Sequence, residues 1–555
     1  MEAIAAAAGC LITYLIGYRF YGRYLGRKIF ELDPTRSTPA HDLRDDIDYI
    51  PTRKYILFGH HYASITGLSP MLGPAIAVIW GWLPGMLWVV LGTLFIGAVH
   101  DFGALVVSMR ARGLSIGKVA EGIIGPRAKS LFHVLIFFLV SLAMGVFVYI
   151  CSRLFTDAFY PQAVVPTFTL MVIAMGIGWA IYKRAAPVGS STAIGFALMM
   201  GAIGVGLAWQ PTGISSETWS YVLLGYAFCA SVLPVWLLLQ PRDYINSLLL
   251  YLGLASAYLG FFLLRPTFSA PAIDFYQAEA PPIFPFVFIV IACGAISGFH
   301  GLVSSGTTSK QIARETDATF IGYGGMVGES LLGLLAILAC TAGFTSNAAW
   351  HEHYRSWNLA QGLENNMKAF IDGTALFIHQ LGIPMEIAQA FIALVAVSFA
   401  LTTLDSGTRL LRYNISEVSE TLRIPALRNR YVSSLAAVGA IGFFAFFEVD
   451  GRAAGMALWQ LFGTTNQVMG ALTLLTITLY LMQRKRNFWF TFLPMVFMMT
   501  TSVTAMILKI GDFWELRQWM LLALGGGILL VALWLIVEAV LRFRRPKSLE
   551  PAPSD

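Results

Sequence analysis

Apolar stretches of about 20 residues recur along almost the whole chain, separated by short polar linkers. Hydrocarbon offers no partner to a backbone N–H or C=O, so such stretches cross a bilayer as helices. They fall near residues 3–25, 56–80, 83–108, 131–151, 163–182, 189–209, 219–239, 245–264, 283–304, 320–344, 384–404, 432–449, 454–480, 488–509 and 518–541. The expected fold class is an all-α polytopic membrane protein with about 15 transmembrane helices. Only 12% of the 555 residues are charged, against roughly 25% in a soluble protein. The opening MEAIAAAAGCLITYLIGY has no basic leader and no cleavage site, so it reads as a retained span.

An odd number of spans puts the termini on opposite sides, and lysine and arginine decide which, because they are retained in the cytoplasm. Alternating from an outside start places 30 of the 37 basic residues in inner segments, which predicts the N-terminus outside and the C-terminus inside. The net charge of +6 then marks one membrane face, bathed in lipid, and gives no reason to expect nucleic acid. Cys10, Cys151, Cys229, Cys293 and Cys340 lie in apolar stretches without ligand spacing and read as small buried residues. No phosphate-binding loop, CxxCH or HExxH is present, so nothing points to an ATP-driven pump or to an enzyme.

Two spans are interrupted. The second, FGHHYASITGLSPMLGPAIAVIW, is broken at Gly67, Pro70, Gly73 and Pro74 and carries His60, His61, Ser64 and Ser69. The ninth, IACGAISGFHGLVSSGTTSKQ, is rich in glycine and carries His300, Ser304, Ser305, Thr307 and Thr308. The two run in opposite directions, the pattern of an inverted repeat with a substrate and ion site between its broken helices. On this reading residues 1–54 are the first helix and a cytoplasmic linker, and 55–210 the first repeat. Residues 211–282 are an inserted pair, and 283–483 the second repeat with an extracellular segment at 345–383. Residues 484–555 are C-terminal helices and a tail. A second repeat formed by spans seven to eleven is the alternative. Within 345–383, LAQGLENNMKAFIDGTALFIHQL has helical spacing and predicts an amphipathic rim helix.

Ionisable groups inside spans are expensive and so are candidates by default. His100 and Asp101 are adjacent, and each can tune the other as a proton relay. Thr403, Asp405 and Ser406 offer hard oxygens for Na⁺, or a gate against Arg409 or Arg412. Gln460 and Asn466 belong to a polar cluster that either glues helices or binds a polar solute. Glu329 and Glu538 are lone acids without an evident partner. His60, His61, His100, Asp101 and His300 could also converge on a metal or haem.

FGHHYASITGLSPMLGPAIA, GTLFIGAVHDFGALVVSMRARGLSIG, LPVWLLLQPRDYIN, SGFHGLVSSGTTSKQI, LTTLDSGTR and LWQLFGTTNQ together resemble the carbon starvation protein A family of bacterial inner-membrane transporters. The likeness spans residues 20–480, in a chain shorter than the large enteric members. It implies a LeuT-like transporter that takes up peptides during carbon starvation, or pyruvate with protons. The expected function is import of pyruvate or short peptides by proton symport, less readily with Na⁺, at the inner membrane. A metal- or haem-binding membrane protein and a transporter-like nutrient sensor are the alternatives.

Overall fold

The apolar stretches all fold as helix, and what differs among them is continuity. The computed structural model describes residues 2–275, 280–360, 362–449, 452–453 and 455–544. In chain order the main helices are α1 (Ala3–Ile29), α2 (Lys54–Thr66), α3 (Ser69–Trp80), α4 (Trp82–Arg110), α5 (Ile116–Ile123), α6 (Pro126–Leu154), α7 (Val164–Arg184), α8 (Val188–Ala208), α9 (Ser216–Val232) and α10 (Leu239–Leu264). They continue as α11 (Ile283–Val290), α12 (Gly298–Gly306), α13 (Gly324–Ala342), α14 (Leu363–His379), α15 (Met385–Leu422), α16 (Arg430–Ala445), α17 (Gly455–Gln483), α18 (Trp489–Glu515) and α19 (Trp519–Arg544).

Among the described residues eleven helices are long and apolar enough to cross a membrane, or twelve if the bent pair α2–α3 is one span. The other three expected stretches are shorter or interrupted. The helix α9 has 17 residues, α16 has 16, and the ninth stretch is split into α11 and α12 by residues 291–297. A two-residue hairpin, Glu448–Val449 with Arg452–Ala453, is the strand pairing found among the described residues. The eleventh stretch does not end near residue 404, as expected, because α15 runs for 38 residues. That continuation places Asp405 inside a helix rather than at a solvated end. Four of the cysteines are buried or half-buried, but Cys229 is exposed on α9, which corrects the reading of all five as buried.

The rim segment forms α14, whose Met367, Phe370, Ile371 and Ile378 are buried at helical spacing. That face packs on α10, α13 and α15.

Hydrogen bonds between linkers show how the broken segments run. At one end Thr52 N donates to Gln311 O at 2.9 Å, tying the start of α2 to the chain just after α12. At the other end Trp80 Nε1 donates to Pro281 O at 3.0 Å, tying the end of α3 to the approach to α11. The two broken segments are therefore antiparallel. Linkers rich in arginine meet at the Thr52–Gln311 end, where Arg36 Nη1 pairs with Glu315 at 2.9 Å and Ser115 Oγ donates to Glu417 at 2.8 Å.

Glycine lets the breaks be approached this closely. A Cβ at Gly97 of α4 would lie 2.0 Å from Ala295 O, in the unwound stretch between α11 and α12. Backbone cannot retreat as a side-chain tip can, and overpacking costs about 1–3 kcal/mol or more. Gly97→Ala should therefore lower the melting temperature of the purified protein by several degrees. Gly122→Ala, with nothing within 4 Å, should leave it unchanged or raise it slightly. Equal melting of both variants would contradict this packing.

Candidate substrate and ion site

Each break frees carbonyls that the membrane interior cannot hydrate, and the structure supplies partners from neighbouring helices. At the first, Thr403 Oγ1 of α15 donates to Ser64 O at 3.1 Å, and Ser406 Oγ meets Ser64 Oγ at 2.9 Å. Gly67 turns there at φ +43°, a conformation that disfavours side chains. At the second, Thr93 Oγ1 donates to Gly294 O at 3.0 Å, and Gln467 Nε2 donates to Phe288 O at 2.9 Å. Asn466 Oδ1 accepts from Phe299 N at 2.9 Å, so it caps the start of α12.

Two buried charged clusters flank these breaks. In the first, His60 Nδ1 on α2 lies 2.6 Å from Asp243 Oδ2 on α10. Arg242 Nη2 donates to Asp243 Oδ1 at 3.1 Å, and its Nη1 pairs with Asp405 on α15. Tyr226 on α9 also donates to Asp405. His60, Asp243 and Asp405 are wholly buried and Arg242 nearly so. The second cluster is a chain. His100 Nδ1 lies 2.7 Å from Asp101 Oδ1, Asp101 Oδ2 lies 3.0 Å from His300 Nδ1, and His300 Nε2 lies 3.3 Å from Glu329 Oε2. All four are 0% exposed. His61 Nδ1 bonds Thr308 Oγ1 at 2.8 Å and so joins the two broken segments directly.

The residues singled out from sequence thus divide. His60, His61, His100, Asp101 and His300 are all in or between the two clusters. Ser69, Ser304 and Thr307 are buried, and their hydroxyls have no partner among the described residues. Ser64, Thr403 and Ser406 are occupied with one another, and Ser305 Oγ donates to Gly301 O at 2.7 Å while accepting from Ile116 N at 3.2 Å. Asn466 is engaged in holding the break. The side chain of Gln460 lies outside the described residues.

Three expectations change. Asp405 pairs with Arg242, not with Arg409 or Arg412; Arg409 instead donates to Ala230 O at 3.0 Å and faces Asp48 at 3.5 Å. Glu329 and Glu538 have partners, His300 and Arg127. The expected five-residue metal set does not converge, since His60 and His61 are turned to Asp243 and Thr308. Among the described residues a metal-type grouping is instead Cys293, His300 and Glu329, whose ligand atoms lie within 4.8 Å of one another.

Arg242, Asp243, Glu329 and Thr93 were missed as site residues. Arg242 reads in sequence as one more inner-face cation, and its neighbour Asp243 was the available signal that the charge is paired.

Outside the spans, the linker carboxyl Asp48 is desolvated, which raises its pKa, but Lys310, Arg409 and Tyr413 outweigh that and hold it below the usual range. Burial lowers Lys310, and Asp48 and Glu417 recover only part of that shift.

A family model described as carbon starvation protein CstA matches residues 2–350 and 349–505. The chain is 34% identical over 566 residues to a peptide transporter CstA of Escherichia coli, covering 90% of this chain and 80% of that protein. It is 31% identical to the pyruvate/proton symporter BtsT of the same organism, covering 92% and 82%. A Bacillus subtilis peptide transporter CstA is 30% identical, covering 93% and 91%. Among solved structures, an Eremococcus coleocola manganese transporter aligns over 91% of this chain and 99% of its own, with a TM-score of 0.49 at 12% identity.

Removing one partner of a buried ion pair strands the other, at a cost of about 3–5 kcal/mol. Arg242→Leu strands Asp243 and Asp405 and should sharply lower the melting temperature in detergent. Adding Asp405→Leu should recover much of that loss. A single variant that melts like the parent would show that the cluster is not desolvated.

Proposed function

The chain belongs to the carbon starvation protein CstA family, and we propose that it imports pyruvate or a short peptide by proton symport. Its relatives are transporters rather than enzymes, and its apolar helices make it a multi-pass protein of the bacterial inner membrane. We read its core as a LeuT-like pair of inverted repeats, residues 55–210 and 283–483, with the N-terminus outside and the C-terminus inside. The antiparallel course of the two broken segments supports that reading.

The observation that carries the function is the buried chain His100–Asp101–His300–Glu329 beside the second break. Isolated charge there would be prohibitive, so a proton arriving at Asp101 or leaving it must redistribute along the imidazoles. The free hydroxyls of Ser69, Ser304 and Thr307 give a carboxylate hydrogen-bond donors between the breaks. His60, His61 or His300 balances its charge, and Ser64, Ser305 and Thr308 hold the surrounding backbone. Protons suit this site better than Na⁺. Asp405, the best Na⁺ candidate, already has its Oδ2 against the Arg242 guanidinium, and that fixed charge would repel a second cation.

A second reading has one observation in its favour, the Cys293–His300–Glu329 grouping, which mixes the sulfur, nitrogen and oxygen donors that zinc takes. Such a metal would occupy His300 and Glu329 and remove them from the relay. Elemental analysis of the purified protein separates the readings: one equivalent of metal per chain favours the second, and its absence the first.

In proteoliposomes, pyruvate or peptide should accumulate only under an inward proton gradient. Asp101→Asn keeps the shape but not the titratable oxygen, so it should abolish accumulation and leave counterflow partly intact. Unchanged accumulation by that variant would defeat the proton assignment.

A further inference from the structure

At the end where the arginine-rich linkers meet lies a cavity of about 190 Å³. Ser305 and Gly306, at the end of α12, reach it from the membrane side. Ser115 and Lys118 approach from the start of α5, Tyr413 and Glu417 from α15, and Lys310 from the linker after α12. The cavity thus touches one of the broken segments and leads away from it.

Its two lysines are held differently. Glu417 is already engaged: Ser115 Oγ donates to it at 2.8 Å, Lys118 Nζ lies at 3.8 Å and His133 Nε2 at 3.7 Å. Lys310 forms no ion pair among the described residues. Its Nζ sits over the rings of Tyr413 at 4.4 Å and Tyr49 at 5.4 Å, contacts that stabilise a cation without neutralising it. The neighbouring carboxylate, Asp48, is held by Arg409 and Tyr413. Asp48 is thus shared between Arg409 and Lys310, and Lys310 is the cation lining this cavity that makes no direct ion pair among the described residues.

We propose that this cavity is a second carboxylate site on the substrate's path, with Lys310 as the receptor for a small monoanion such as a 2-oxo acid. The Ser115 hydroxyl is given to Glu417, so the carboxylate's contact in this cavity is with the Lys310 ammonium. A zwitterionic peptide fits poorly, because its ammonium group would need a free acid and meets Lys310 and an engaged Glu417 instead. This deepens the transport reading and rests on it, and it chooses the monocarboxylate over the peptide.

The test is pyruvate counterflow by the full-length protein in proteoliposomes, where no proton gradient is needed. Lys310→Gln should raise the half-saturation concentration about tenfold at similar maximal rate, and Lys310→Arg should restore most of it. In the parent, the neutral pyruvamide should compete at least tenfold more weakly than pyruvate, and Lys310→Gln should erase that preference. Glu417→Gln, which removes a negative charge from the cavity wall, should tighten pyruvate several-fold and serves if Lys310→Gln does not fold. A parent that carries pyruvate alongside a Lys310→Gln with the same half-saturation and selectivity overturns this site alone. A parent that carries only dipeptide, with no competition by pyruvate, overturns the choice of anion. A parent that carries neither overturns the transport reading itself.

Discussion

Backbone that leaves a helix inside a membrane must be hydrogen-bonded by protein, and the rest of this structure follows from that requirement. Two segments are broken, and around each the freed carbonyls are met by side chains from distant helices. Thr403 serves the first break, Thr93 and Gln467 the second, and Asn466 caps the helix that restarts after it. Glycines at Gly73 and Gly97 let backbone approach to where a Cβ would sit 2.5 and 2.0 Å from a carbonyl oxygen. Much of the polar content of the spans is therefore scaffolding. What it holds in place is a small set of hydroxyls and imidazole nitrogens without a partner among the described residues.

Charge is handled by the same logic. The interior tolerates Arg242 because Asp243 and Asp405 lie against it, and tolerates Asp101 because two imidazoles do. In the second cluster the partners of the carboxylates are histidines, whose charge changes with one proton, whereas in the first the chief partner is a permanently charged arginine. That difference suits the first cluster to holding α2, α10 and α15 together and the second to the proton coupling proposed for it. Since His61 bonds Thr308 across the two broken segments, a change in one segment is felt directly by the other.

Much of this was legible in the sequence. The length and spacing of the apolar stretches locate the helices, and helix breakers next to serine and histidine locate both interruptions. Adjacent His100 and Asp101 announce their own pairing. What could not be read is partnership at a distance: His60 meets Asp243 across 183 positions and His300 meets Asp101 across 199. Helical periodicity carries no information on such pairs, so Glu329 looked alone and Asp405 was assigned the wrong arginine. The length of α15 was missed for a related reason. Its polar turn at Thr402–Thr408 resembles a helix end, yet the hydroxyls of Thr402, Thr403 and Thr408 are satisfied by a neighbouring helix or their own preceding turn.

The central claim is that the two broken segments face a polar path that opens to water during transport. Ser304 is the sharpest probe, being fully buried on α12 with a hydroxyl that no described residue engages. The direct measurement is the rate at which a membrane-impermeant thiol reagent modifies Ser304→Cys in oriented vesicles, over the rate for the parent protein. The account predicts modification from the aqueous phase, slowed by pyruvate. A thiol that reacts from neither side under any gradient, or only with a lipid-soluble reagent, would contradict it.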